Sequence, residues 1–375
     1  MNKKIISIVL IFTMIASSIS VVSATSKNNE CKNISTELNV ADLLNQVPTL
    51  GGVINNARET TNNFIYSADN TKISIPKEGS GYIKSTFDPE HGQIKMKLPD
   101  VVSTAEAKKT KNGTMVYNSK SGNTDVLVQM LEDEENDFVF SSVRTMVLIK
   151  DATAPKQYDF TFDLPKGARL ITSEEYKQTY CQDNADWIGD SLIFVIDENG
   201  SIISTIDEAW AKDANSRDVE TYYKINDNVL TQIVNFDASN DFPIIADPTN
   251  TGVKTKVETL AFSNTKANIN KLVKARNDIN NRQNSTLSTV ISLINSVFGL
   301  FSVETGIMSM VISGVIGGNA RFLEKCEDVY TTIEEGFLRK KYSDAEVYYK
   351  YRGTYQGKNK GYVYEIESVS SNRGK

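Results

Sequence analysis

The sequence predicts an α+β protein: a mostly antiparallel β segment followed by a C-terminal module of an apolar helical hairpin, an amphipathic helix and a β-hairpin. Three observations carry this expectation. Tyr158-Asp159-Phe160-Thr161-Phe162-Asp163-Leu164 alternates apolar with polar residues, the period of a half-buried strand. Phe322, Cys326, Val329, Ile333 and Phe337 recur three and four apart, the period of one helix face. Between these regions, the 38 residues from 283 to 320 hold a single charge, Glu304.

Residues 1–24 read as a secretory signal peptide. Lys3 and Lys4 give a positive start, and Ile5 to Ile15 is an apolar run interrupted only by Ser7 and Thr13. Val22-Ser23-Ala24 then places small residues, Val22 and Ala24, where a signal peptidase reads. The alternative is an N-terminal membrane anchor, but the apolar core is short of the ~20 residues that span a bilayer. A secreted protein is therefore expected.

Residues 25–110 form a polar leader with short strands. The stretch is rich in Asn, Thr, Ser and Lys, with a weak helical run at Val40 to Leu50 and β-like runs at Lys72 to Ile75 and Gln93 to Leu98. Residues 111–248 read as β-rich. Asp125 to Met130 and Val143 to Ile149 are apolar runs, and Leu164-Pro165-Lys166-Gly167 closes the alternating strand with turn chemistry. Ser191 to Ile196 and Ser201 to Ile206 flank Asp197-Glu198-Asn199-Gly200, which predicts a hairpin with an Asn-Gly turn. A second hairpin joins Tyr222 to Ile225 with Val229 to Val234. Asp241 to Pro248 carries two prolines, which suits an extended edge leading into a linker.

Residues 249–375 make the basic C-terminal module with apolar helices. Thr249 to Gly252 reads as a loop. Lys266 to Arg282 is helix-compatible, with Ile269, Leu272, Val273, Arg276 and Ile279 at roughly helical spacing. From Leu287 to Gly318, Ser288, Ser292 and Ser296 recur at four-residue spacing, and so do Ser309, Ser313 and Gly317. Such stripes let helices approach closely. Phe298 and Phe301 fall in the break between the two helices. This hairpin is either a buried core element or a masked segment that inserts into a membrane, with flanking Lys and Arg meeting anionic headgroups. Glu346 to Tyr355 and Gly361 to Ile366 then form a Tyr-rich hairpin.

Charge divides the chain at the same place. Residues 25–248 hold 21 Lys+Arg against 35 Asp+Glu, a net of −14; residues 249–375 hold 18 against 12, a net of +6. The split points to two modules with different partners, the basic one suited to anionic bacterial surfaces.

Chemistry is sparsely equipped. The one histidine, His91, sits in a Pro-Glu-His-Gly turn and reads as a surface turn residue, which excludes paired-His zinc sites. Cys31, Cys181 and Cys326 follow the signal, an odd number with no metal or redox spacing. Cys181 serves as a nucleophile only if His91 reaches it. There is no phosphate-binding glycine loop. No catalytic residue, metal, cofactor or nucleic-acid partner is expected.

Residues from about 116 to 248 carry Thr124 to Val128, Tyr158-Asp159-Phe160, Leu164 to Leu170, Ala209-Trp210-Ala211, Lys212-Asp213-Ala214 and a closing Phe242 to Pro248. In these motifs the segment resembles a domain of secreted Gram-positive proteins, including the pro-domain of large clostridial bacteriocin precursors of the closticin type. The resemblance implies a pro-region, a second cut near Ala246, Asp247 and Pro248, and an active C-terminal product. The C-terminal segment departs from that pattern: it is 127 residues long and adds an amphipathic helix and a Tyr-rich hairpin.

Two functions are therefore expected in competition. One is a secreted bacteriocin-like precursor whose released module acts on membranes of related bacteria, with an anionic membrane or cell-wall polymer and an immunity protein as partners. The other is a non-enzymatic extracellular or cell-wall binding protein, with Lys350, Arg352, Lys358 and Lys360 on the Tyr-rich hairpin as its face. A secreted enzyme is a weaker third.

Overall fold

A computed structural model describes residues 51–135, 138–181, 185–280 and 319–373. They fall in one compact unit, Val47–Lys375. Strands come first: β1 (Gly52–Val53), β2 (Arg58–Glu59), β3 (Asn63–Ala68), β4 (Thr71–Pro76), β5 (Tyr82–Thr86), β6 (Ile94–Lys97), β7 (Lys108–Lys109), β8 (Met115–Asn118), β9 (Thr124–Glu135), β10 (Phe138–Ile149), β11 (Gln157–Asp163) and β12 (Arg169–Thr172). Helix α1 (Ser173–Tyr180) interrupts them. Then follow β13 (Ile193–Ile196), β14 (Ile202–Ile206), β15 (Trp210–Lys212), β16 (Thr221–Asn226), β17 (Val229–Val234), β18 (Ile244–Asp247), β19 (Thr249–Gly252) and β20 (Lys254–Ser263). Helices α2 (Lys266–Asn280) and α3 (Asn319–Leu338) precede the closing pair β21 (Asp344–Tyr355) and β22 (Tyr362–Arg373).

Two large antiparallel sheets face each other. The first runs β12-β13-β14-β19-β10-β9-β8-β7, with β1, β15 and β18 attached; the second runs β16-β17-β11-β6-β5-β4-β3-β2. Alternation explains the packing. Tyr158, Phe160 and Phe162 of β11 point inward while Asp159 and Asp163 stay exposed. They meet Val126, Val128, Val143 and Val147 of the first sheet in a single core. The short runs between 52 and 109 contribute Phe64, Ile73, Ile75, Ile83, Ile94 and Met96 to it. Strand pairing thus runs across the expected boundary at 110/111.

The third sheet, β20-β21-β22, packs with α2 and α3 around a second core. That core includes Phe138 and Phe140 of β10, so both faces of β10 are covered. Phe140 stacks on Tyr362, ring centroids 3.9 Å apart. The two helices are tied by Arg276 and Glu334 at 3.1 Å.

This corrects the expected fold class. The described chain is mostly antiparallel β from end to end, not an α+β pair of modules. Among the described residues there is no apolar helical hairpin. The residues expected to form it, Ser288, Ser292, Ser296, Phe298, Phe301, Ser309, Ser313 and Gly317, lie outside the described residues. So do Val22 and Ala24. Among the described residues no helix is long and apolar enough to cross a membrane.

The expected linker is also replaced by sheet. Val147 opposes Ala246 and Arg144 opposes Thr249, a constant register, with the Thr145 N–H donating to the Pro248 carbonyl at 2.9 Å. Residues 244–252 therefore form one continuous central strand. Pro248 has no N–H to give, and the neighbour on its other side breaks there, between β14 and β15. Thr249 to Gly252, read as a loop for lack of apolar residues, is wholly buried. Its two threonine hydroxyls are partnered instead, Thr251 with Ser142 at 2.9 Å and Thr249 with Asp247 at 2.9 Å.

Candidate functional site

A cavity of about 240 Å³ opens between α1, the β13–β14 turn and the outer face of the β21–β22 hairpin. The local sequence builds each wall. Thr172 caps α1 by accepting the Glu175 N–H at 3.1 Å, which fixes the helix start. Tyr176 and Tyr180 then lie one turn apart on one face, with ring centroids 5.0 Å apart. Tyr176 is braced edge-on by Phe194 at 5.3 Å. Gly200 holds the Asn-Gly turn with a φ of +82°, and a Cβ there would sit 2.3 Å from the Tyr180 ring. Trp187 packs half-buried beside this cluster and completes an aromatic wall.

The opposite wall is charged. Arg352 and Thr354 come from β21, and Val363 and Glu365 from β22. The Arg352 side chain is only 6% exposed. It donates to Glu367 at 2.7 Å and lies 3.6 Å from Glu365. Its Nε–H is buried and has no hydrogen-bond partner among the described residues. Loss of water around Glu365 raises its carboxyl above the usual range, with Arg352 opposing. Lys350 bridges Glu367, at 3.0 Å, and Glu90.

His91 does lie in a turn, the 3-10 turn Pro89–His91, but it is half-buried beside Arg352 and does not line the cavity. Its Nε2 is buried and unpartnered, and burial together with the Arg352 charge lowers its pKa. Asp88, whose carboxylate accepts the Glu90 N–H at 3.0 Å and the Thr255 hydroxyl, lies beside it; burial pushes its pKa up, and these two bonds more than reverse that. No hydrogen bond joins His91 to Cys181 among the described residues. Cys181 ends α1, where burial pushes its thiol up and disfavours the thiolate. Cys326 is fully buried among Tyr330 and Tyr349, as expected of a small hydrophobe. No group of three metal-ligating side chains occurs among the described residues.

Of the binding face expected on the hairpin, Lys350 and Arg352 point to this wall, whereas Lys358 and Lys360 lie in its exposed turn. Sequence reasoning missed Tyr176, Tyr180, Trp187 and Glu365. Of these, only the Tyr176/Tyr180 pair left a local signal, its one-turn spacing.

Ala246, Asp247 and Pro248 are buried in the central strand, paired with β10. Asp247 is a buried node. Its carboxylate takes Arg144 Nε at 3.1 Å, Trp210 Nε1 at 3.1 Å and the Thr249 hydroxyl at 2.9 Å. Its backbone carbonyl accepts the Tyr223 hydroxyl at 2.8 Å. Burial pushes the carboxyl up to about 6, against the pull of Arg144. Comparison of the sequence with family models and with curated proteins returns no match.

Proposed function

We propose that this is an exported, non-enzymatic binding protein that holds one saccharide unit of a bacterial wall polymer in the Tyr176–Arg352 cavity. One observation carries the reading: an aromatic wall faces a buried guanidinium that still has an N–H to give. Sugar rings offer an apolar face to aromatic side chains and hydroxyls to planar charged groups. The cavity is smaller than the ~300–1,000 Å³ common for drug-sized ligands, so it suits a single ring rather than a long oligomer. No nucleophile–base pair accompanies it among the described residues.

Trp187 and Trp210 are the chain's two tryptophans, and Trp187 lines the cavity. Titration of the full chain with muramidase-digested wall material is expected to change tryptophan emission saturably. Trp187→Phe should remove most of that signal, and Arg352→Ala should weaken binding by about tenfold or more, the worth of a charged hydrogen bond. Equal titration curves for the three proteins would end this reading.

The charge split favours a second reading, a bacteriocin-like precursor that releases residues 248–375 to act on anionic membranes. It requires a cut at Asp247–Pro248, which the folded sheet withholds from an outside protease.

A further inference from the structure

The Asp247–Pro248 peptide bond is surrounded by the groups that would let it break itself. Asp–Pro bonds are the weakest in a chain toward acid, because the aspartate carboxylate can attack its own carbonyl carbon and the tertiary proline nitrogen is a readily protonated leaving group. Around Asp247 the fold supplies each requirement. The carboxylate is kept desolvated yet paired with Arg144. The Tyr223 hydroxyl, from the opposite sheet, donates to the carbonyl oxygen of the bond itself at 2.8 Å. That is where negative charge develops in the transition state. Asp207 N–H donates to the Thr249 carbonyl, which puts the Asp207 side chain opposite Thr249, on the Asp247 side of the sheet. Burial raises the Asp207 carboxyl, and one guanidinium, Arg144, serves both acids. One of the two acids therefore tends to keep a proton. The Glu208 N–H and the Tyr355 hydroxyl donate to the Asp207 carboxylate, and the Trp210 N–H and Thr249 hydroxyl donate to that of Asp247.

We propose that the protein cleaves its own Asp247–Pro248 bond, with Asp247 as nucleophile, Tyr223 as donor to the carbonyl oxygen and Asp207 as the acid that protonates the Pro248 nitrogen. The Asp247 carboxylate adds to its own carbonyl carbon, and the C–N bond to Pro248 breaks as Asp207 gives its proton to that nitrogen. This leaves a five-membered cyclic anhydride at Asp247 and a free secondary amine at Pro248. Water opens the anhydride to two carboxyl groups and returns a proton to Asp207. The net change is hydrolysis of one peptide bond, with no oxidant or metal.

The chain holds an internal control, the Asp88–Pro89 bond. There the Asp88 carboxylate is tied by Thr255 and the Glu90 N–H, and it heads a 3-10 turn rather than a central strand. The test incubates the pure full chain with protease inhibitors from pH 8 to pH 4, then resolves fragments by denaturing electrophoresis and mass spectrometry. Expected is a fragment beginning at Pro248, formed at a rate independent of protein concentration that rises as pH falls toward about 6 and declines again toward pH 4 as the Asp247 carboxylate takes up a proton, with Asp88–Pro89 intact. Asp247→Ala should abolish it. Tyr223→Phe and Asp207→Asn, with the fold checked by circular dichroism, should each slow it about tenfold or more. An intact chain at every pH, equal cutting of both Asp–Pro bonds, or wild-type rates in the folded Tyr223→Phe and Asp207→Asn variants would each overturn the proposal.

Discussion

Asp247 binds a proton more tightly in the folded chain than in the unfolded one, because burial outweighs its partner Arg144. The folded state therefore gains relative to the unfolded state as the proton is taken up. This contribution is largest below about pH 4, and it is lost as pH rises through the ordinary value of 3.8 toward about 6. Two pH units at ~1.4 kcal/mol each set its ceiling at about 3 kcal/mol. Asp207 shifts in the same direction. Urea midpoints measured from pH 4 to pH 7, within hours so that the chain stays whole, should show Asp247→Asn with a less negative slope than the wild type. A parallel slope would mean that the carboxyl does not titrate in this window. The same residue shows where sequence reading stops. Asp-Pro in the chain is visible, but its burial depends on Arg144 and Tyr223, which arrive from about a hundred residues before and two dozen residues before it. His91 is the same case, since the Arg352 that shapes its environment lies some 260 residues later.

At the scale of elements, local signals were legible and pairing was not. The three-and-four spacing of Cys326, Ile333 and Phe337 coincides with α3, where all three are buried. The Asn-Gly turn does join β13 to β14, because both partners are within reach of one turn. Ile333→Ala should cost about 2–5 kcal/mol, as a fully buried side chain is removed from a packed helix face. The seam between β10 and β21 makes a sharper test. A Cβ on Gly353 would lie 2.6 Å from Phe140 Cζ and 3.0 Å from Tyr364 Cε1. Both rings are buried, so neither can swing away. Gly353→Ala should therefore destabilise by about 1–3 kcal/mol in urea unfolding. The double change Gly353→Ala with Phe140→Leu should recover part of that loss, which an unrelated backbone effect would not allow. Thr249 to Gly252 went unread as a strand because polar residues signal sheet only when their partners are known.

The whole molecule follows from that strand. The charge boundary at 248/249 suggested two modules, yet charge patterning reports surfaces, whereas modules are divided by cores. Here β19 is held between β10 and β14, and Phe138 and Phe140 of β10 complete the core under β21 and β22. Dividing the chain at Asp247–Pro248 takes one strand from the centre of the first sheet and takes the only β10 aromatics from the second core. Residues 248–375 produced alone should therefore lack stable tertiary structure, and residues 25–247 alone should expose the open edges of β10 and β14, a route to aggregation. Produced together, the two pieces should assemble into a particle that elutes with the intact chain in gel filtration and separates only in denaturant. The intact chain should then unfold in one transition seen alike by tryptophan fluorescence, which reports on the first sheet and α1, and by far-ultraviolet circular dichroism. Two separate transitions, or a well-folded isolated 248–375, would show that the C-terminal sheet stands by itself, and the charge boundary would then mark a true domain boundary.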